Sequence, residues 1–251
     1  MIFVLKKKTL IKVVLISILI VTLSILVYDD GVVPTAAATK KLPIYYVESG
    51  TQKAALTFDA AWGADKTSQI MDILEKEGYR GTFFLVGFWI DKYPEKVQEI
   101  HDRGHLVGNH STNHLHMNKL SKDDIAKEIN LTSQKIKNAI GYSPRFFRAP
   151  FGEYSNRMLE YADESGVQVI QWDVDTLDWK GLSGGEIASR VIAKAKDGSI
   201  ILCHNNSDHI LEALPLMIAA LKNKGITPVR LDELVLESDY YIDSNGKQIK
   251  K

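Results

Sequence analysis

The chain has 251 residues, enough for one large α/β domain or two small ones. Its 31 lysines and arginines equal its 31 aspartates and glutamates in number, so composition gives no argument for a nucleic-acid partner. The single cysteine, Cys203, excludes an internal disulfide framework, and its position in an apolar run predicts a buried thiol.

The N-terminal residues carry the pattern of a secretory signal or a membrane anchor. Four lysines within positions 6–12 precede a largely apolar run without a charged residue over 13–27. The run is long for a cleaved signal and short for a membrane span, which usually needs about 20 apolar residues. Small residues suited to a signal peptidase occur at 36–38, some distance beyond the run. We therefore expect a signal peptide or, in preference, a retained anchor helix over 1–30, a linker over 31–41, a folded domain over 42–238 outside the cytoplasm and a polar, frayed tail over 239–251.

Beyond the linker, short apolar runs typical of strands alternate with amphipathic runs typical of helices. The predicted strands are 54–58, 82–86, 105–108, 145–147, 167–172, 199–203 and 227–230. The predicted helices are 66–77, 94–102, 123–139, 156–164, 185–196 and 211–224. This alternation predicts a parallel sheet, either open or closed into a barrel.

Polar side chains follow five of the predicted strands at the point where each strand ends. In chain order they are Asp59, His110, Arg148, the pair Asp173 and Asp175, and His204. The carboxyl ends of parallel strands face one way and carry the active site in α/β folds. We therefore expect these side chains to converge on one rim of the sheet.

His110 and His114 are the candidate metal ligands. If their segment is a helical turn, a spacing of four residues places both imidazoles on one face. Such a pair suits one divalent ion of zinc, iron, nickel or cobalt. The zinc-protease motif is excluded, because it needs a glutamate after the first histidine, where this chain has Ser111. The remaining histidines match no motif and are interpreted as surface or packing residues: His101, His105, His116 and His209.

Five short motifs stand in an order that identifies a family. They are Thr57-Phe58-Asp59-Ala60-Ala61-Trp62-Gly63, His110-Ser111-Thr112-Asn113-His114, Arg148-Ala149-Pro150-Phe151-Gly152, Asp175-Thr176-Leu177-Asp178-Trp179 and Leu202-Cys203-His204. With them, the segment from about 54 to 236 resembles the polysaccharide deacetylases of carbohydrate esterase family 4, the NodB-homology domain. The resemblance implies an α/β fold, a distorted (β/α)7 barrel, here preceded by the anchor helix.

The resemblance implies an N-deacetylase that uses a divalent metal ion, zinc in the first place, with cobalt and nickel as alternatives. An N-acetyl group is a poor electrophile, so a bound ion is needed to polarise its carbonyl group and to lower the pKa of the attacking water. His110 and His114 occupy the positions of two metal ligands. Asp59 occupies the position of the general base and His204 that of the general acid.

Other motif residues are implied to orient these groups or to bind the substrate. Arg148 would pair with Asp59, and Asp175 would accept a hydrogen bond from His204 and keep it protonated. The backbone N–H of Phe151 would meet the developing oxyanion. Candidate substrate-binding side chains are Phe151, Trp179 and Trp62, while Phe88, Trp89 and Trp172 are as consistent with core packing.

The implied substrate is an N-acetylated cell-wall glycan. In its Ala-Trp-Gly pattern and N-terminal anchor the chain resembles a subgroup that occurs in spore-forming bacteria. Peptidoglycan, deacetylated at GlcNAc or MurNAc units and in a sporulation role, is therefore the favoured partner. The protein would lie in the bacterial cell envelope, secreted or held to the membrane by its N-terminal segment.

One position departs from the family pattern and leaves three interpretations open. The third metal ligand is usually the aspartate after the base, and this chain has Ala60 there. Two histidines and waters would then hold the ion more weakly, or another group would complete the site. The candidates for that group are Asp65, Ser111 and Asn113. In the third interpretation the ion is lost, and the protein is a catalytically weak or inactive glycan-binding protein.

Overall fold

The computed structural model describes residues 12, 14–16, 18 and 41–251. Residues 12, 14–16 and 18 are helical, and the rest of the expected anchor lies outside the described residues. No helix among the described residues is long and apolar enough to cross a membrane. Residues Lys41–Lys251 form one structural unit, and the fold below is that of this unit.

The unit alternates strands and helices along most of its length. Its strands are β1 (Tyr46–Val47), β2 (Lys53–Ala60), β3 (Thr82–Leu85), β4 (Leu106–Asn109), β5 (Phe146–Phe147), β6 (Gln168–Val169), β7 (Val174–Asp175), β8 (Ile200–His204), β9 (Thr227–Val229), β10 (Tyr240–Ile242) and β11 (Lys247–Lys250). Its α-helices are α1 (Thr67–Lys76), α2 (Gly87–Lys92), α3 (Pro94–Asp102), α4 (Lys122–Ile140), α5 (Asn156–Glu164), α6 (Gly184–Lys194) and α7 (Ile210–Asn223). The six predicted helices and seven predicted strands are all present, with ends shifted by a few residues.

A parallel sheet of eight strands carries the fold. Its order is β6-β5-β4-β3-β2-β8-β7, and β9 pairs with the beginning of β2. Every ladder in it is parallel, which confirms the predicted α/β architecture. β6 and β7 form the two edges of the sheet and do not pair with each other. The sheet is therefore curled but not closed, whereas the implied seven-stranded barrel would be closed by strand pairing.

β2 lies at the centre of this sheet and determines where the polar rim is. From Ala54 to Ala60 every residue of the strand is buried, as expected of a parallel strand covered on both faces. In the register of β2 and β8, Asp59 lies opposite His204. The sheet therefore brings a carboxylate and an imidazole side by side from positions 145 residues apart in the chain.

The C-terminal residues do not form the frayed tail that their polarity predicts. β10 and β11 pair antiparallel, and β11 pairs parallel with β1 to complete a small second sheet. Tyr45 donates its backbone N–H to the carbonyl oxygen of Gly246, which ties the C-terminal strands to the first residues of the unit Lys41–Lys251. Strands this short carry too little pattern for recognition, and pairing with a distant segment decides them.

Candidate active site

Asp59 and Arg148 form a buried ion pair at the centre of the rim. Nη1 of Arg148 donates to Oδ1 of Asp59 at 2.8 Å and to the hydroxyl of Thr57 at 2.9 Å. The guanidinium group also lies over the ring of Phe84, 4.2 Å from its centroid. Burial by itself raises the pKa of Asp59, but the nearby charges, that of Arg148 foremost, hold the pKa below its usual range. The predicted pairing is confirmed, and the carboxyl group is ionised at neutral pH.

The segment from His110 to His114 is a loop after β4 rather than the helical turn that the spacing suggested. Ser111 and His114 have positive φ angles of 70° and 54°, which a helix cannot contain. The hydroxyl of Ser111 accepts the backbone N–H of His114 at 3.0 Å. The two imidazole rings nevertheless meet, with their centroids 5.1 Å apart. The expected pair is therefore present, and a tight loop brings it together.

Both imidazoles are prepared to act as metal ligands. Nδ1–H of His110 donates to the carbonyl oxygen of Arg148 at 2.7 Å, so its Nε2 carries the lone pair and lies 3.5 Å from Oδ2 of Asp59. Burial lowers the pKa of His110 and lowers that of His114 to about 4. Neutral imidazoles with free lone pairs fit a divalent ion.

The structure offers no third ligand of the usual kind. Ala60 is fully buried within the main hydrophobic core. Of the alternatives, Asp65 is exposed and does not line the cavity described below, the hydroxyl of Ser111 holds the His114 backbone, and Nδ2 of Asn113 donates to Glu128. Over residues 41–251, no three His, Cys, Asp or Glu side chains are arranged to hold a metal ion. The residues present therefore fit a divalent ion held by the imidazoles of His110 and His114.

His204 is bound by Asp178, and the expectation that Asp175 binds it is wrong. Nδ1 of His204 donates to Oδ1 of Asp178 at 2.7 Å, and the backbone N–H of His204 donates to Oδ2 at 2.8 Å. Asp175 instead accepts the backbone N–H of Leu177 at 2.8 Å. Burial lowers the pKa of His204, but the hydrogen bond and the charge of Asp178 outweigh it, so the pKa lies above its usual value.

A cavity of about 630 Å³ opens above these groups. Asp59, His110, Asp175 and His204 line it, which confirms the predicted convergence on one rim for these four, and His114 lines it as well. Asp173 is turned elsewhere and accepts the hydroxyl of Ser199 at 2.9 Å and the backbone N–H of Ile200 at 2.9 Å.

Three aromatic side chains stand exposed at the mouth of the cavity. Trp62, Phe151 and Trp179 are 61%, 57% and 60% exposed, and all three line it. Trp172 lines the cavity as well. Trp89 is a core residue, whose indole N–H donates to the carbonyl oxygen of Gly63 at 2.7 Å. Exposed rings around a polar centre provide the flat apolar faces on which sugar rings stack.

Sequence reasoning missed His116 as a neighbour of the site. Its ring stacks on Phe151 at a centroid distance of 4.3 Å, and its Nδ1 lies 3.0 Å from Oε1 of Glu153. Helical spacing from His114 predicts that His116 points away, but the segment is not helical. The signal that could have placed His116 near the site is its position two residues after His114, the second of the predicted metal ligands.

Backbone strain is concentrated around the cavity. Of the non-glycine residues with positive φ in the described chain, four belong to the motif loops: Ser111, His114, Phe151 and Leu177. Phe151 adopts φ 59° and ψ 8° within a 3₁₀ turn that begins at Pro150. Such conformations cost about 1–3 kcal/mol each and cluster at functional sites.

The parallel α/β sheet carries His110, His114, Asp59 and His204 around one cavity, an arrangement typical of hydrolases that activate water. The model of the polysaccharide deacetylase family matches residues 47–170. The peptidoglycan-N-acetylglucosamine deacetylase of Bacillus cereus is 36% identical over 186 residues, which cover 72% of this chain and 68% of that protein. The peptidoglycan-N-acetylmuramic acid deacetylase PdaA of Bacillus subtilis is 30% identical over 210 residues, 82% of this chain and 80% of that protein.

Solved structures agree in fold and in family. A carbohydrate esterase family 4 pseudoenzyme from Bacillus anthracis superimposes with a TM-score of 0.75 at 32% identity, covering 83% of this chain and 73% of that chain. A mutant of such a pseudoenzyme, described as having restored enzymatic activity, gives a TM-score of 0.75 at 35% identity and covers 78% and 71% of the two chains. This chain belongs to the polysaccharide deacetylase family, carbohydrate esterase family 4, whose deacetylases hydrolyse amide bonds.

Proposed function

We propose that this protein is a metal-dependent N-deacetylase that removes acetyl groups from the GlcNAc or MurNAc units of cell-wall peptidoglycan. The observation that carries the proposal is that Asp59 and His204 lie opposite each other on one rim, where Arg148 holds the pKa of Asp59 below its usual range and Asp178 holds the pKa of His204 above its usual value. A lowered carboxyl pKa suits a general base, and a raised imidazole pKa suits a general acid. The two relatives named above are both described as peptidoglycan deacetylases.

The reaction needs one proton taken and one proton given. Asp59 takes the proton of the attacking water, and Arg148 keeps its carboxyl group ionised and oriented. His204 gives its Nε2 proton to the departing amine, while Asp178 holds the ring through Nδ1. The backbone N–H of Phe151, in the turn that begins at Pro150, donates to the oxyanion.

His110 and His114 are the residues that would hold the metal ion. When bound, the ion supplies Lewis-acid polarisation of the acetyl carbonyl and acidification of water. Family 4 deacetylases generally depend on a metal ion. Zinc is the first candidate for a site with two imidazole ligands, with cobalt and nickel next.

The substrate enters over aromatic faces. Trp62, Phe151 and Trp179 present exposed rings around the cavity, and sugar rings stack on such faces. A polymer of the cell envelope requires an extracytoplasmic protein, which agrees with the signal-like or anchor-like pattern over 1–30. A role in sporulation is supported by the resemblance of the Ala-Trp-Gly pattern and the N-terminal segment to those of a subgroup in spore-forming bacteria.

A second function is a glycan-binding protein without catalysis. The observation that favours it is Ala60, buried where the family has its third metal ligand, together with the structural likeness to a pseudoenzyme. The retained Asp59, Arg148 and His204 oppose it, because binding alone does not need an acid and an oriented base.

Acetate release separates the two functions. The full chain is incubated with N-acetylated peptidoglycan and with chitin oligomers while zinc, and then cobalt, is titrated. Release that rises with metal and stops with chelator supports the deacetylase. We expect Ala60→Asp to reach its maximum at lower metal concentration, since it adds a carboxylate ligand. No release from either substrate, with glycan binding retained, supports the binding protein.

A further inference from the structure

We propose that Glu128 is a positioning residue for the metal ligands, and that its buried carboxylate holds the loop of His110 and His114 in the conformation that suits a divalent ion. Glu128 lies on α4, outside all five motifs, and is 5% exposed. The proposal rests on the proposed use of the two histidines as ligands.

The loop needs outside support because its conformation is intrinsically unfavourable. Ser111 and His114 both have left-handed backbone angles, which non-glycine residues rarely adopt. The hydroxyl of Ser111 accepts the backbone N–H of His114, and among the described residues no other side chain of the loop bonds the His114 backbone. A loop with two strained residues keeps its shape only when surrounding groups fix it.

The carboxylate of Glu128 provides that support from the α4 side. Its Oε2 accepts the backbone N–H groups of Thr112 at 3.0 Å and Asn113 at 2.8 Å, and its Oε1 accepts Nδ2 of Asn113 at 2.7 Å. The two residues lie between the strained Ser111 and His114, so the carboxylate fixes the middle of the loop. Because the acceptor is a carboxylate, these three hydrogen bonds are charge-assisted and stronger than hydrogen bonds between neutral groups.

Neighbouring residues of α4 hold the flanks of the same loop. The hydroxyl of Thr132 donates to the carbonyl oxygen of Ser111 at 3.0 Å. Nδ2 of Asn109 donates to the carbonyl oxygen of Ile129 at 2.7 Å. Glu128, Ile129 and Thr132 share one buried face of the helix, so this face holds the loop by several hydrogen bonds at once. Groups outside the ligand set that orient ligands affect metal affinity in this way.

The test compares Glu128→Gln with two control variants. The glutamine has the same shape but no charge and only one acceptor oxygen, so its amide N–H₂ faces a donor in either orientation: Nδ2 of Asn113 or the backbone N–H groups of Thr112 and Asn113. We expect the affinity for Co²⁺, measured by calorimetry, to fall by about 10–100-fold. At saturating metal we expect kcat to fall while KM changes less than about twofold, and in the metal-free protein the amides of Thr112 and Asn113 should exchange with solvent faster.

The controls separate positioning from general stability. Asp123→Asn removes the same charge from an exposed position of α4 and should leave Co²⁺ affinity unchanged. Ile136→Val shortens a buried side chain of α4 and should lower Tm without changing Co²⁺ affinity. If Glu128→Gln does not fold, Asn113→Ala removes one of the three bonds and should show a smaller loss of affinity in the same direction.

Two results would overturn the proposal, and they are distinguishable. Unchanged Co²⁺ affinity and unchanged amide exchange in Glu128→Gln would mean that the carboxylate only stabilises the fold. A wild-type protein that binds no Co²⁺ would overturn the proposed metal-dependent function and, with it, this role of Glu128.

Discussion

Asp178 binds His204 through both of its carboxylate oxygens, one at the imidazole and one at the backbone. Oδ1 accepts Nδ1–H at 2.7 Å, and Oδ2 accepts the backbone N–H at 2.8 Å. The ring is thereby fixed in position and in tautomer, with Nε2 left for the substrate. Asp178 is fully buried, so its charge acts on His204 with little screening by solvent.

We expect Asp178→Asn to shift the alkaline limb of the pH–activity profile to lower pH. Activity needs protonated His204, and Asp178 is the main group that raises its pKa, so without this charge the proton is lost at lower pH. The asparagine can also present its amide N–H to Nδ1 and favour the wrong tautomer, so kcat at neutral pH should fall by about 10²–10⁴-fold. Asp175→Asn, which removes a carboxylate that does not touch His204, should shift the limb much less. An alkaline limb unmoved by Asp178→Asn contradicts the assignment.

Asp59→Asn should lose both turnover and stability. Loss of the base should lower kcat by about 10²–10⁴-fold. Arg148 would keep a buried charge without its carboxylate, which costs about 3–5 kcal/mol of the free energy of unfolding.

The pH dependence of that stability difference follows from the lowered pKa of Asp59. The pair stabilises the wild type above the carboxyl pKa of the unfolded chain, and this stabilisation is lost as pH falls through the lower pKa of the folded state. Urea unfolding at several pH values should therefore show the largest gap at neutral pH. Glu164→Gln, which breaks the exposed pair with Lys122, should leave the free energy of unfolding nearly unchanged at every pH.

His110→Ala and His204→Ala should separate metal binding from proton transfer. His110→Ala should abolish measurable binding of zinc or cobalt, because only one imidazole ligand remains. His204→Ala should bind the ion as the wild type does, but with little acetate release. Calorimetry with metal and an acetate assay on the same samples check both. An active His110→Ala variant would be incompatible with the proposed ligand pair.

Trp62→Ala should weaken substrate binding more than turnover. Its ring is exposed at the cavity, and loss of about 1–1.5 kcal/mol of stacking should raise KM by about 5–13-fold. Tyr241→Ala removes an exposed ring from β10, outside the cavity lining, and should leave KM unchanged. Equal KM values for both variants and the wild type would remove Trp62 from the glycan-binding surface.

The sequence was sufficient for features that depend on local pattern or on strand ends. The period of the apolar runs predicted all six long helices and the parallel sheet, because burial on one or both faces imposes that period. The rim position of Asp59, His110 and His204 follows from their place after strands, since parallel strands end on the same side.

The tertiary structure decided which groups pair, because pairing depends on local backbone turns and distant contacts. Leu177 adopts a left-handed conformation with φ 53°, and the 3₁₀ turn from Asp178 to Lys180 follows it. Asp175 uses its carboxylate on the N–H of Leu177, and this turn brings Asp178 to His204. The spacing of residues along the chain does not show this turn, so the sequence pattern could not decide whether Asp175 or Asp178 binds His204.

The same dependence on distant contacts explains why the sequence did not predict the role of Glu128 or the C-terminal strands. Glu128 lies 15 residues from Asn113 in an ordinary amphipathic helix, and only the packing of α4 against β4 brings the two together. β11 has its partner β1 about 200 residues earlier in the chain. The sequence by itself determined the six long helices, the seven predicted strands, the family motifs and the rim. Packing decided which carboxylate each histidine or loop receives, since a hydrogen bond forms only where the folded backbone brings donor and acceptor within about 3 Å.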